Sequence, residues 1–458
     1  MELSRSDTLL VAPGTASQLR LEIRPASVLR FALLMLIVAN LGRIPVFSTG
    51  DREAPLLIND IAVALAVGVF ALAAVDRRRL LIDRVTVAAI VFAGIGAASA
   101  ISSVARFGLS GFELFVSLSY LARWSLYFGI YVATINVVRA ADANRVWGGY
   151  DAMMVLFAGF GVVQSAFLPG FAQLVYPDSR AFIDWDIQGH RLVSTVLDPN
   201  IAGAMLLIAF LVDVSRLATG VRIPSWRPLL LFVALVCTVS RSSALGLIAG
   251  LGVILLLRGL SKRVLLFASV IALSVLASAP KLLALAATYG KFDVTEGSSA
   301  AARVVSWVRA LRMLADHPII GVGFNTTGFV QEQYGWTRLS TGAYSIDGGL
   351  LFVAVMTGVC GLTVFIYFLS IIARRALAVW RDPDVPAEHR ALALGAIAAL
   401  VAICVHSVFL NSLLTTFVME PLWVLWGLVF VVDHERRQRN INRTVSPMSP
   451  HVVIAAHA

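Results

Sequence analysis

The chain has 458 residues, of which 59% are hydrophobic and 14% charged, with a mean hydropathy of +0.84. No soluble fold of that length hides so much apolar surface, so the solvent must be lipid. The net charge of +10 is distributed by topology along the chain, which excludes a nucleic-acid-binding surface.

In chain order, residues 1–28 form a polar tail carrying Arg5, Arg20 and Arg24. No apolar core with a cleavage site follows them, so the segment reads as a cytoplasmic tail and not as a signal peptide. A span needs about 20 apolar residues to cross roughly 30 Å of hydrocarbon. Twelve such stretches are expected, at about 29–47, 56–75, 86–105, 114–135, 150–168, 199–215, 228–240, 242–257, 264–280, 346–373, 391–410 and 413–432. Backbone polar groups in lipid need internal partners, so the spans are helices and the fold class is an all-α polytopic membrane protein. The organisation is then 29–280 with helices one to nine and an outer loop at 169–198, a long polar loop at 281–345, helices ten to twelve at 346–432, and a tail at 433–458.

Charge sets the orientation. With both termini inside, 24 of the 37 Lys and Arg residues fall on the inner side and 12 on the outer, with Arg123 inside a span. Eight of those 12 lie in the loops 169–198 and 281–345, and long loops weigh little in the positive-inside rule. Both termini are therefore expected to be cytoplasmic and the two long loops to face outward. Cys237, Cys360 and Cys404 lie in apolar segments without ligand spacing. They read as small core residues and imply neither a disulfide nor zinc.

Three arginines stand out on the outer side: Arg191 in Gly189-His190-Arg191-Leu192, Arg241 in Ser240-Arg241-Ser242-Ser243, and Arg303. A guanidinium at a membrane border is costly unless paired or functional, and its planar fork suits phosphate. Snorkelling to lipid headgroups is the plainer use. Over 301–316, apolar residues recur at Val304, Trp307, Val308, Leu311 and Leu314, with Arg309 and Arg312 opposite. That spacing predicts an amphipathic helix on the membrane surface, stopped by Pro318. Gly321-Val322-Gly323-Phe324 follows. It is not a nucleotide loop, because no strand precedes it and no Lys-Ser/Thr follows.

At these residues the chain resembles the O-antigen ligase and polymerase superfamily of bacterial envelope glycosyltransferases. Arg191 with Asp198-Pro199-Asn200 is similar to the segment that enters a middle span of the family. Ser240-Arg241-Ser242-Ser243-Ala244 is similar to its Ser-Arg-small block. Arg303, Trp307 and Asp316-His317-Pro318-Ile319-Ile320-Gly321-Val322-Gly323 form the most specific block. Ligases of the family carry His, then Asn, Ser or Gln, then nine residues and Gly-x-x-Gly. Here the spacing is kept by Asp347, Gly348 and Gly358-Val359-Cys360-Gly361, but Asp347 replaces the histidine. Trp307 also replaces the usual leucine four residues after the arginine. These departures favour a polymerase of exopolysaccharide or O-antigen repeats over a lipopolysaccharide ligase.

The resemblance implies a GT-C-like fold in the bacterial inner membrane, with the large periplasmic loop over the site. The implied substrates are a glycan on an undecaprenyl-diphosphate carrier and an acceptor glycan or lipid A-core. A chain-length regulator is a candidate partner. The leaving group is a lipid diphosphate, so neither a nucleotide nor a metal cofactor is expected. Arg191, Arg241 and Arg303 would clamp the diphosphate, with Asn200, Trp307 and Tyr344 as further substrate contacts. Asp347 is the candidate general base. It could equally be the N-cap of the tenth span. His190 and His406 are weaker base candidates, and Trp336 could stack on a sugar or anchor at the interface. A transporter or flippase of lipid-linked glycans is the competing class, but the halves of the chain show no internal repeat.

Overall fold

The computed structural model describes residues 42, 45–47, 56–77, 80–175, 190–259, 299–336 and 346–445. Two short strands, β1 (Pro45–Phe47) and β2 (Leu56–Leu57), pair antiparallel at the start. The helices then follow as α1 (Ile58–Arg77), α2 (Arg84–Phe107), α3 (Gly111–Val137) and α4 (Ala143–Phe167), with a short α5 (Phe171–Val175). After residues 176–189 come α6 (Pro199–Thr219), α7 (Trp226–Cys237) and α8 (Arg241–Arg258). The last group is α9 (Ser299–Asp316), α10 (Thr327–Gln333), α11 (Gly349–Arg381), α12 (Ala387–His406) and α13 (Thr416–Val445). Seven helices among the described residues are long and apolar enough to cross a membrane, and Ile58–Leu72 and Trp226–Cys237 are shorter apolar helices. An all-α polytopic membrane protein is what the composition required.

Ten of the twelve expected spans coincide with helices. The spans at 29–47 and 264–280 fall on residues outside the described set, except that Pro45–Phe47 is strand and not helix. The last helix runs to Val445 and so continues through the start of the expected tail at 433. Its polar end carries Arg436 and Arg437, both held by Asp433. Cys360 is exposed, which corrects its expected place in the core; it follows a break in α11 and faces outward.

Helix order within the bundle follows burial. In α6 and α13, 89% of the apolar window is buried, against 28% in α8. Thus α6 and α13 run through the centre while α8 lies at the edge. Aromatic side chains fill the space around α13: Trp423 meets Trp124 at 6.1 Å, Phe128 at 5.1 Å and Phe368 at 5.5 Å between ring centroids. Such tilted and edge-on pairs suit the ring quadrupole. Several charges inside the bundle are paired. Arg227 bridges Asp151 at 2.8 Å and Asp213 at 3.1 Å, and Arg216 contacts both carboxylates. Arg123, the basic residue expected within a span, binds Asp60 at 2.8 Å. Two arginines assigned by position to an inner loop, Arg216 and Arg227, are thus pinned into the bundle by acids on α4 and α6.

The α11 helix is broken at Gly358, whose φ of 65° and ψ of −168° lie outside the helical region. The break leaves backbone groups that lipid cannot satisfy. The segment after α9 supplies the partners: Val322 N–H donates to Val355 O at 2.8 Å, and Val359 N–H to Pro318 O at 2.8 Å. On the far side of that segment, Ser99 Oγ donates to Ile320 O at 2.5 Å and Arg106 to Gly321 O at 2.7 Å. Gly321 has φ 70°, and a Cβ there would overlap the Val355 carbonyl. The Gly-Val-Gly segment is therefore a backbone splint across a discontinuous helix, and this fixes α9 over one end of the bundle.

Candidate active site

That end of the bundle gathers the starts of α6, α8 and α11 and the ends of α7 and α12. Asp198 caps α6, accepting from Asn200 N–H at 2.8 Å and Ile201 N–H at 3.2 Å, with Pro199 at the first helical position. This is a favoured helix start. Ser240 caps α8 and donates its hydroxyl to Asn200 Oδ1 at 2.9 Å. The two helix starts are thereby tied together, and Arg241 occupies the first position of α8.

Arg191 sits against the turn between α7 and α8. Its Nε donates to Thr238 O at 2.9 Å and its Nη2 to Val239 O at 3.4 Å. Those carbonyls belong to a helix end, where a cation is welcome. The turn needs the support, because Val239 has φ 50°, an unusual value for a β-branched residue. Arg191 holds the turn that presents Ser240 and Arg241.

The α9 helix lies across this surface with distinct faces. Val304, Val308 and Leu311 are 49%, 61% and 57% exposed, as expected of a helix lying greasy side to the membrane. Trp307 and Leu314, expected on the same stripe, are half-buried instead: Leu314 packs on the core and the Trp307 ring lies 6.2 Å from that of Phe409. Arg309 leans over the Trp336 ring at 5.4 Å, and Trp336 stacks on Tyr334 at 4.5 Å. The third face, with Arg303, Ser306, Trp307 and Ala310, meets the start of α11. Asp347 N–H donates to Ser306 Oγ at 3.1 Å, and Arg303 Nε lies 3.8 Å from Asp347 Oδ2.

Asp347 does not cap α11. The N-cap is Gly348, with φ 110° and no side-chain cap bond. Gly348 turns the chain sharply so that the Asp347 carboxylate points to Arg303 and away from the helix. The neighbouring backbone is locked: Asn411 Nδ2 donates to Ile346 O at 2.8 Å, and Gly349 N–H to Ser407 O at 2.6 Å. Burial raises the Asp347 pKa above its ordinary value, and the Arg303 charge opposes that. Burial lowers the pKa of the Arg303 guanidinium; Asp347 counters this, while the positive charge of Arg241 adds to it. Arg241 is thus near enough for its charge to be felt at Arg303. At 3.8 Å the Arg303–Asp347 contact is longer than a hydrogen bond. Arg303 Nε is buried and makes no hydrogen bond among the described residues. A buried donor left open beside a carboxylate is a place for a polar ligand.

Beneath these groups lies a hydroxyl–imidazole chain. His406 is fully buried, with Nε2 3.1 Å from Ser242 Oγ and Nδ1 2.6 Å from Ser412 Oγ. Both ring nitrogens are engaged, so His406 supports the start of α8. His190 is exposed and its carbonyl accepts from Ser165. Tyr344 lies outside the described residues. The structure thus brings together Arg303, Asp347, Arg241, Asn200 and Trp307. It adds Ser306, Asn411 and Ser412, whose residue types carry no distinguishing signal in sequence, and gives Ser242 of the Ser-Arg block a contact with His406.

Residues 229–366 match the family described as O-antigen ligase. The match covers 138 of the 458 residues and supports a place in the O-antigen ligase and polymerase superfamily. The matched stretch contains Arg241, Arg303, Trp307, Asp347 and the break at Gly358. Members of that family are glycosyltransferase-like membrane enzymes, which supports an enzymatic role in general. No curated protein matches the chain.

Proposed function

We propose that the protein transfers glycan from an undecaprenyl-diphosphate carrier at the periplasmic face of the inner membrane, polymerising exopolysaccharide or O-antigen repeats. The observation that carries this reading is the loose Arg303–Asp347 pair inside the family-matched stretch, with Arg303 Nε unbonded among the described residues. The donor brings its own leaving group. As the acceptor hydroxyl attacks the anomeric carbon, Asp347 takes the hydroxyl proton. The bond from that carbon to the diphosphate oxygen breaks, and the charge left on undecaprenyl diphosphate is met by Arg303 and Arg241. Arg191 and Asn200 keep the Arg241 turn in place, and Trp307 offers a ring beside the acceptor position. No nucleotide or metal takes part in this scheme.

A second reading, transfer to lipid A-core, is favoured by the description of the matching family as O-antigen ligase. Asp347 in place of the ligase histidine favours the first. Reconstitution of purified protein with lipid-linked repeat units separates the two. The polymerase reading predicts a ladder of longer lipid-linked glycans without lipid A-core. Product only when lipid A-core is added supports the ligase, and no product under either condition would overturn both.

A further inference from the structure

The helix ends opposite the candidate active site enclose a cavity of about 520 Å³. One wall is cationic, with Arg84 on α2, Arg374 and Arg375 on α11 and Arg437 on α13. Two carboxylates, Asp83 and Asp433, share the cavity but are already engaged. Asp83 accepts from the Tyr131 hydroxyl at 2.9 Å, from Thr86 N–H at 2.9 Å and from Arg375. Asp433 holds Arg436 at 2.8 Å and Arg437 at 2.8 Å. Arg374 is tied to Ser370 of its own helix, at 2.8 Å to the hydroxyl. The cavity therefore carries more guanidinium than carboxylate charge. The other wall is apolar and continues onto the outer surface of the bundle, where Ile82 is 58%, Tyr367 47% and Ile366 50% exposed. Excess cations at a membrane border are costly without an anion. An inorganic anion would answer the charge but leave the apolar wall bare.

We propose that this cavity binds an anionic phospholipid, with its phosphate between Arg84 and Arg374 and an acyl chain along Ile82 and Tyr367. Arginine forks suit phosphate oxygens, and basic pockets between membrane helices favour acidic headgroups. The bound lipid joins α2, α11 and α13 at the end remote from the reaction. The proposal does not depend on the chemistry of the other end.

The test uses the full chain in a neutral detergent, with native mass spectrometry and thermal melting as readouts. The probes are dioleoyl phosphatidylglycerol, dioleoyl phosphatidylcholine and inorganic phosphate. Phosphatidylglycerol should bind and raise the melting temperature, while phosphatidylcholine should do neither and phosphate should not compete. The double variant Arg84→Gln/Arg374→Gln should weaken binding by about 10–30-fold, from roughly 1 kcal/mol per charge near the headgroups. Arg84→Lys/Arg374→Lys should keep most of it. Should the glutamine pair fold poorly, Ile82→Glu places an anion where the acyl chain lies and should cut binding similarly. Equal binding of phosphatidylcholine, wild-type affinity in the folded glutamine or Ile82→Glu variant, or displacement of the lipid by equimolar phosphate would each overturn the proposal.

Discussion

Arg303 and Asp347 are coupled through a contact too long to be a hydrogen bond, and each can therefore engage substrate separately. Arg303→Ala and Arg241→Ala should abolish glycan assembly at normal protein level. The lysine variants should recover little, because an ammonium cannot make the two-pronged phosphate contact. Normal product from both alanine variants, read on a polysaccharide gel, would leave the diphosphate clamp unsupported. Titration gives a second handle. Asp347 must be ionised to act as a base, and burial holds its pKa above the ordinary carboxylate value. Activity should rise with pH through that group. Arg303 favours the ionised form, so Arg303→Gln should move the acid limb of the residual activity to higher pH. A limb that stays in place would mean that another group titrates. The arginines stood out in the sequence because charge is rare at a membrane border, and Asp347 because it occupies the place of the ligase histidine in the spacing to Gly358 and Gly361. Ser306 and Asn411 were not, because they act on backbone from elements far away in sequence, and serine or asparagine there looks like any loop residue. The capping role open to Asp347 in sequence is taken by Gly348, since only the backbone conformation decides which residue turns into the helix.

At the scale of elements, the discontinuity in α11 does most to place the site. Gly358 lies in an apolar run where glycine is ordinary in a membrane helix, so nothing in the sequence announces a break. The segment that repairs it, from Pro318 to Gly323, is also remote in sequence and reads as a loop. Only the amphipathic spacing of α9 and its stop at Pro318 were legible beforehand, and even there Trp307 and Leu314 turn toward protein. Gly358→Ala tests the splint. Its φ and ψ are open essentially to glycine alone, and a Cβ would overlap the Ile319 carbonyl. The variant should lose about 2 kcal/mol or more of stability, seen as a melting temperature several degrees lower, and should lose transfer activity with it. An unchanged melt would show that the break tolerates a side chain and does not hold α9.

For the whole molecule, the bundle was readable because apolar runs of membrane length allow few alternatives to helices. Its helix order was not readable, because α8 and α13 are almost equally apolar in sequence and yet differ widely in how deeply they pack. Orientation rests on the distribution of arginine. Reporter fusions at Gly335 should report the periplasm and fusions at Arg381 the cytoplasm; a cytoplasmic signal at Gly335 would put the candidate site on the wrong side for an exported glycan. Chelation gives a further check: EDTA should leave the transfer rate unchanged, and a loss restored by added divalent cation would require a metal in the scheme. The most direct measurement is the rate of glycan transfer from a lipid-diphosphate donor by purified Asp347→Asn protein in liposomes, beside wild type. Asparagine keeps the shape of the side chain but takes up no proton. The variant should insert and melt like wild type yet transfer glycan about 10²–10⁴-fold more slowly, the usual worth of a general base. Transfer at the wild-type rate would contradict the assignment of Asp347 as the base.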